Sequence, residues 1–262
     1  MSEPVLVQVE DAIASIRFNR PEVLNALNLD LARGFLAAVD QVIADQTAKV
    51  VVISGEGRAF MAGGDLGYFK ALPKAARPAA SRVLIEPLNE AMLKLAQCRL
   101  PVIASINGAA AGGGMSFALM ADLAIAADDA SFNLSYIKVA QNPDCGGSWA
   151  LARLVGLRKA LEIALLSDTI DAPEALRLGL VNKVVPAADL RSASLEMARR
   201  LARGPALAVA ATKALLRGAA MTSLEDQLEA ECSGFARLAG SDDFDEALDA
   251  FFGKRKPSFA GR

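Results

Sequence analysis

The sequence predicts an α/β fold in which short buried strands alternate with amphipathic helices. Apolar runs of strand length, such as Lys49 to Ser54 and Val102 to Ile106, are each followed by a stretch with helical periodicity. Alternation of this kind is typical of layered α/β cores. The chain has 262 residues, of which 53% are hydrophobic, and it contains no long linker or low-complexity tract. It can therefore bury one large core, with or without an appendage.

The first part of the chain contains most of the predicted strands. Asn28 is a favoured N-cap residue directly before an amphipathic stretch, so a helix is predicted from about Leu29 to Ala44. In chain order, we predict strands at Val5 to Val9, Ala12 to Phe18 and 49–54, a helix from about Pro78 to Gln97, and strands at Val102 to Ile106 and Leu123 to Ala127.

Helical periodicity dominates from Trp149 onward. It is interrupted by a predicted strand, Leu180 to Val185, and by a break at Gly204 and Pro205. Helices are predicted after the break at about 206–217, 223–239 and 242–252. The chain therefore divides into a core, residues 1–203, and a helical C-terminal module, residues 204–262.

The composition argues against several classes of function. A formal net charge of −2 gives no basic field for nucleic acid, so no nucleic-acid partner is predicted. Cys98, Cys145 and Cys232 lack paired spacing, and their odd number is typical of a reducing, cytoplasmic location, which we predict. The N-terminus does not resemble a signal peptide, and the uncharged stretch Leu100 to Ala121 is broken by a proline and several glycines. No membrane association is predicted.

The chain contains no histidine. Nucleophilic triads with a histidine base are therefore excluded, and the commonest metal ligand is missing, so no metal site is predicted. The glycine patterns of phosphate-loop and Rossmann nucleotide sites are absent as well. Catalysis must depend on carboxylates, tyrosine, lysine or backbone groups.

Two glycine-rich segments follow predicted strands, and each could offer a backbone donor. The first runs from Arg58 to Leu66 (RAFMAGGDL), and the second contains Gly112, Gly113 and Gly114 before a helix-like run. Glycine lets a ligand approach main-chain N–H groups, and a helix N-terminus adds partial positive charge. Together the segments predict a site for an oxygen that gains negative charge, although each could instead form only a tight turn.

The order of five segments resembles the enoyl-CoA hydratase/isomerase, or crotonase, superfamily over essentially the whole chain. These segments are FMAGGDL (60–66), PVIASINGAAAGGG (101–114), ADLAIAADDASF (121–132), PDCGGSWALARLVG (143–156) and LGLVNKVV (178–185). The resemblance implies a ClpP/crotonase-like fold of repeated ββα units with a C-terminal helical trimerisation module. It also implies an acyl-CoA substrate, with coenzyme A as part of the substrate and no further cofactor, and assembly as a homotrimer or a dimer of trimers.

The resemblance also implies catalytic roles. Gly64 and Gly113 would supply the two N–H groups that polarise the thioester carbonyl. Hydratases of the family carry two glutamates that activate water, but Ser116 and Tyr136 occupy those positions here, and neither is ionised near neutral pH. Asp144 stands where some family isomerases carry a catalytic aspartate, and PDCGGSW closely resembles the isomerases of phenylacetyl-CoA breakdown. Without the resemblance, Asp144 would be assigned to an Asx turn or to the N-cap of the next helix.

Further residues are predicted to bind the substrate. Residues 24–27 resemble the family segment whose backbone meets the adenine of coenzyme A, which implies contacts from Leu24 and Ala26. The other residues implied to contact coenzyme A are Ala62, Gly63, Asp65, Leu66 and, at the phosphates, Lys254. Those predicted to line the acyl pocket are Tyr68, Ser116, Tyr136, Val139 and Trp149. Asp65 would be mainly structural, the pocket residues could instead belong to the core, and an exposed lysine such as Lys254 is more often only solvated.

These residues predict an enoyl-CoA isomerase in which Asp144 moves a proton while Gly64 and Gly113 hold the enolate oxygen. Three alternatives stay open. One is an enoyl-CoA hydratase, and another is an enzyme like the aroyl-CoA dehalogenases, whose assisting histidine has no counterpart here. The third is a non-catalytic homologue that binds coenzyme A or RNA, although the near-neutral charge weakens the RNA version.

Overall fold

Residues 3–261, described by a computed structural model, contain two β-sheets and eleven α-helices. The strands are β1 (Val5–Glu10), β2 (Ile13–Phe18), β3 (Val50–Gly55), β4 (Ala59–Met61), β5 (Val102–Ile106), β6 (Ala109–Ala111), β7 (Leu123–Ala127), β8 (Ser131–Asn133), β9 (Ile170–Asp171) and β10 (Lys183–Val185). The helices are α1 (Leu29–Ala44), α2 (Leu66–Ala71), α3 (Arg77–Gln97), α4 (Gly113–Met120), α5 (Gly147–Val155), α6 (Leu157–Leu166), α7 (Ala172–Arg177), α8 (Leu190–Ala202), α9 (Ala206–Gly218), α10 (Leu224–Leu238) and α11 (Asp242–Phe252).

The larger sheet has six strands in the order β1-β2-β3-β5-β7-β10. β1 and β2 form an antiparallel hairpin at one edge, and each of the other pairs is parallel. β5 is buried along its whole length, as expected where both faces of a parallel sheet are covered. Val51 faces the main core with α1 and α3, whereas Val50 and Val52 face a smaller cluster that includes Ala198 of α8.

The smaller sheet is made of β4, β6, β8 and β9, in that order. Each of β4, β6 and β8 follows a strand of the larger sheet and is followed by a helix. This is the repeated ββα unit that the sequence resemblance implies. The strand pattern of the sequence did not predict these short strands, because three residues are too few to show an alternating period.

An aromatic cluster anchors the helix that follows the triple glycine. Phe18, Phe35, Phe60 and Phe117 are buried, and the ring centroids of the contacting pairs lie 5.0–5.7 Å apart. Full burial of such a ring stabilises the fold by about 1.5–3 kcal/mol. Because Phe117 belongs to α4, the N-terminus of that helix has a fixed position relative to the sheet.

The C-terminal helices agree with the predicted bounds to within one residue. α9 is held on the core by Asp122, which accepts from Lys213 at 2.9 Å and from Arg217 at 2.6 Å. The prediction for the last strand was wrong at its start: β10 begins at Lys183 rather than Leu180. Asn182, just before it, exchanges two hydrogen bonds with the backbone of Ala124, one of them through its side chain.

Within residues 3–261, no helix combines the length and the apolar character needed to cross a bilayer. The same residues contain no group of three or more cysteine, aspartate or glutamate side chains arranged to hold a metal ion.

Candidate active site

The two glycine-rich segments lie against each other. A Cβ atom built on Gly63 would be 3.0 Å from the carbonyl oxygen of Ala111 and 3.6 Å from Cα of Gly112. Both glycines have positive φ angles, +93° and +50°, which side chains rarely allow. The ends of β4 and β6 therefore bring the two predicted donors to one place.

Gly113 is the first residue of α4, where backbone N–H groups have no acceptor within the helix. A Cβ on Gly113 would lie 2.7 Å from Cδ1 of Leu27. Leu27 also forms a parallel bridge with Gly64, which is exposed and has open space where its Cβ would be. Leu27 therefore connects the surroundings of both glycines.

One carboxylate lies beside Gly113. A Cβ on Gly113 would be 3.9 Å from Oδ1 of Asp144 and 3.8 Å from the hydroxyl oxygen of Tyr136. The Tyr136 hydroxyl donates a 2.5 Å hydrogen bond to Oδ1 of half-buried Asp144. The Asp144 side chain does not cap α5, which begins after Gly146 without a side-chain cap. The structure thus contradicts the N-cap alternative for Asp144.

Ser116 adds a third hydrogen-bonding side chain to the Tyr136–Asp144 pair. Its hydroxyl lies 3.1 Å from the Tyr136 hydroxyl, and its side chain is fully buried. Gly147 makes room for it, since a Cβ there would be 2.2 Å from Oγ of Ser116. The result is a hydrogen-bonded chain, Ser116–Tyr136–Asp144, in which Asp144 supplies the one carboxyl group.

The surroundings keep the neighbours of Asp144 protonated. Burial, followed by the negative charge of Asp144, raises the pKa of the Tyr136 hydroxyl well above its usual value. The same two causes raise the pKa of the Cys145 thiol. Tyr136 can therefore donate to Asp144 but cannot act as a base near neutral pH.

Comparison with known proteins identifies the family of this chain. Residues 8–262 match the family model described as enoyl-CoA hydratase/isomerase. The chain belongs to the enoyl-CoA hydratase/isomerase family. A crystal structure of an enoyl-CoA hydratase from Polaromonas sp. JS666 superposes with a TM-score of 0.92 at 35% identity, covering 97% of this chain and 99% of that one. The crotonase fold implied by the sequence is confirmed.

Relatives in this family carry different names. A probable enoyl-CoA hydratase of Rhodobacter capsulatus is 39% identical over 97% of each chain. A 1,2-epoxyphenylacetyl-CoA isomerase of Escherichia coli is 35% identical over the full length of both. The chain is thus similar to proteins named for two different reactions.

Backbone hydrogen bonds join residues 24–27, the segment predicted to meet adenine, to the first glycine segment. Ala62 N donates to the carbonyl of Leu24 at 3.0 Å, and Leu27 N donates to the carbonyl of Gly63 at 2.7 Å. Asp65 N donates to the carbonyl of Leu27 at 2.9 Å. Ala26, within this segment, accepts through its carbonyl from the Arg20 guanidinium.

Two residues that the sequence interpretation missed hold this segment. Asn25 is fully buried, with φ +58°. Its side chain accepts from the backbone N–H of Arg20 and donates to three carbonyls, those of Glu56, Ala59 and Phe60. Arg20 also pairs with Asp65 at 3.5 Å. The available signal was an asparagine in a loop, a residue type that tolerates positive φ.

The remaining predicted binding residues differ in how far their side chains are exposed. Asp65 caps α2 through its side chain, so its structural role is observed. Leu66 is exposed and Tyr68 half-buried on the same helix. Ser116 is too deeply buried to line an open pocket directly, and Tyr136 is 9% exposed.

Val139 and Trp149, five residues before and five after Asp144, are exposed at 43% and 38%. Lys254 is exposed after α11 with φ +52°. In the described part of the chain, no hydrogen bond or ion pair joins it to either glycine segment. Its predicted contact with coenzyme A phosphates therefore stays a prediction.

Proposed function

We propose that the protein is an acyl-CoA isomerase that moves the double bond of an enoyl-CoA. The observation that carries this proposal is the chain Ser116–Tyr136–Asp144 beside Gly113. It supplies one carboxylate at the site, and a double-bond shift needs one group that takes a proton from one carbon and returns it to another.

The first step is polarisation of the thioester. The carbonyl oxygen would accept from the N–H groups of Gly64 and Gly113, and the N-terminus of α4 adds positive potential at that point. Removal of the proton next to the carbonyl then leaves an enolate whose negative charge rests on this oxygen. Because the donors are fixed by the backbone, they require little reorganisation as the charge develops.

The proton transfers fall to Asp144. Tyr136 binds Oδ1, and in the proposed mechanism Oδ2 faces the acyl chain. Oδ2 takes the proton from the α carbon, and the electron pair spreads over the dienolate to the γ carbon. The same carboxyl returns the proton at the γ carbon, which restores Asp144 as a carboxylate and leaves the double bond conjugated with the thioester.

Hydratase activity is the second candidate, because the Rhodobacter capsulatus relative is named a probable hydratase. Adding water across a double bond requires a base for the water and a proton for the α carbon. The hydroxyls of Ser116 and Tyr136 bond to each other and, through Tyr136, to Asp144, so neither replaces a second carboxylate.

Asp144→Asn tests the proposal, with the exposed Asp129→Asn as the matched control. Conversion of 3-hexenoyl-CoA to its conjugated isomer should fall by a factor of about 10² or more, the usual worth of a positioned acid–base group, while the control is unaffected. Hydration of crotonyl-CoA by the unaltered protein should be slower than isomerisation. Retained isomerase activity in Asp144→Asn, or hydration as the faster reaction, would contradict the proposal.

We also propose a homotrimer or a dimer of trimers. The support is exposed apolar surface on the last helices, formed by Leu224, Leu228, Phe235, Phe251 and Phe252. Isolated exposed apolar residues are common, but a set of this size is typical of an interface. Sedimentation equilibrium at several concentrations would give the number of chains.

A further inference from the structure

A large cavity opens next to the catalytic carboxylate. It has a volume of about 730 Å³ and lies between α3, the start of α5 and α9. Cys145 and Gly146, which directly follow Asp144, form part of its wall. The Asp144 side chain and the two glycines do not line the cavity, so an acyl chain bound at the glycines would enter it by passing Asp144 and the backbone of Cys145 and Gly146.

Most of the cavity wall is apolar. Met92, Leu93 and Ala96 come from α3, Trp149 from α5 and Met221 from the turn after α9. Walls of this kind suit the methylene groups or the ring of an acyl chain, and the volume is within the range of ligand pockets.

The charged residues of the wall are both cations. Lys213 and Arg217 line the cavity, and no aspartate or glutamate does. Lys213 is already satisfied, since Nζ donates to the carbonyls of Leu95 and Leu100 at 2.7 Å and to Asp122 at 2.9 Å. Lys213 thus has no donor left for a ligand.

Arg217 has unused donors. Nε and Nη2 donate to Asp122, and Nη2 also donates to the carbonyl of Met120. Within residues 3–261, Nη1 has no acceptor, and the side chain is 21% exposed. Asp122 balances one of the two cations, so the cluster keeps an excess positive charge at the cavity wall. An unbalanced, partly buried charge favours an anionic partner.

We propose that this cavity selects acyl groups that carry a carboxylate at their far end, and that Nη1 of Arg217 binds that carboxylate. The inference rests on the proposed function only in that the substrate is an acyl-CoA bound at the two glycines. The substrate class is then the mono-CoA thioesters of dicarboxylic acids. Arg217 is a specificity-determining residue and takes no part in the proton transfers.

Binding of saturated, unreactive thioesters tests the inference independently of any reaction. Calorimetry would compare hexanoyl-, octanoyl- and decanoyl-CoA with the ω-carboxylated thioesters of the same lengths. At the length that reaches Arg217, we expect the carboxylated thioester to bind about tenfold more tightly, as for a charge-assisted hydrogen bond. Arg217→Gln should remove this preference, whereas Arg217→Lys, which keeps the charge, should retain part of it.

Arg153→Gln is the matched control, because Arg153 stacks on Trp149 at the rim, with its guanidinium carbon 3.9 Å from the ring centre. It should leave the preference intact. A ratio near one at every length, or a preference that survives Arg217→Gln, would overturn the inference. An equal loss of affinity for both thioesters in Arg217→Gln and Arg217→Lys would also overturn the inference, because it would indicate that α9 no longer packs firmly on the core.

Discussion

The two glycine segments of the site look alike in sequence but differ in what their glycines are needed for. Gly114 is buried, and a Cβ there would lie 2.1 Å from the backbone oxygen of Met61. Gly64 is exposed, and a Cβ there would have no atom within 4 Å apart from those of its chain neighbours. Packing therefore requires glycine at 114 but does not require it at 64.

This difference divides the site into a rigid half and an open half. Gly113, Ser116 and Tyr136 belong to the buried core, where interiors are close-packed and side chains keep one arrangement. Gly64 and Leu66 lie at the surface. We infer that the rigid half determines the chemistry and that the open half admits the substrate.

Gly113→Pro should have the largest effect. Proline fits the first position of a helix, so α4 can persist while the N–H is lost. Isomerase turnover should fall by about 10²–10³, the usual cost of removing one oxyanion donor. Gly113→Ala keeps the N–H but adds a methyl group 2.7 Å from Cδ1 of Leu27 and 3.8–3.9 Å from Tyr136 and Asp144, so it is the control for added bulk. Equal losses in both variants would mean that space, rather than the donor, matters at this position.

Gly114→Ala and Gly64→Ala compare the two halves directly. The clash with the Met61 carbonyl should lower the free energy of unfolding of Gly114→Ala by about 1–3 kcal/mol, as in other overpacked cores. Gly64→Ala should change it by less than about 0.5 kcal/mol. Urea unfolding of both variants provides the measurement, and similar values would remove the distinction between a packed and an open segment.

Tyr136→Phe should have a smaller effect on turnover, about tenfold, because Asp144 keeps its charge but loses its donor. Its pH dependence has a definite sign. The pKa of Tyr136 is raised in the folded protein, by burial first and then by Asp144, so its contribution to stability is complete below pH ~10 and is lost as the pH rises above that value.

Unfolding measured between pH 8 and 11 would test this sign. Above pH ~10 the free energy of unfolding of the unaltered protein should fall by up to about 1.4 kcal/mol per pH unit more than that of Tyr136→Phe. The difference in the free energy of unfolding between the two proteins should therefore narrow. Cys145 shifts in the same direction in both proteins and cancels. A gap that widened with pH would contradict the assigned cause.

Elements with a full sequence period were predicted well. Strands β5 and β7 and helix α1, with its Asn28 cap, have the predicted bounds. The short strands of the second sheet were missed, because pairing with distant segments, rather than local pattern, forms them. For the same reason, β10 begins later than the apolar run suggested. Helix α2 was missed because six residues are too few to show a helical period.

The site was predictable in its residue types but not in its connections. Asp144 before a helix is compatible with a cap or with catalysis, and the structure excludes only the cap, because α5 has no side-chain cap and Oδ1 of Asp144 accepts from Tyr136 instead. The sequence signals at most that Asn25 tolerates a positive φ, and it does not reveal the partners of Asn25 in β4 and at Glu56 or the pairing of Arg20 with Asp65. Spacing along a chain does not reveal such contacts.

The backbone pairing of residues 24–27 with 62–65 has a consequence for the length of the ligand. One of these two paired segments is predicted to meet adenine, and the other contains the predicted donor Gly64. Three backbone hydrogen bonds between the segments fix the distance from one to the other. We expect this fixed separation to set the length of the arm that joins the nucleotide to the thioester. An analogue with one extra methylene in that arm should bind with its carbonyl out of register with Gly113, and should be turned over more slowly at equal affinity.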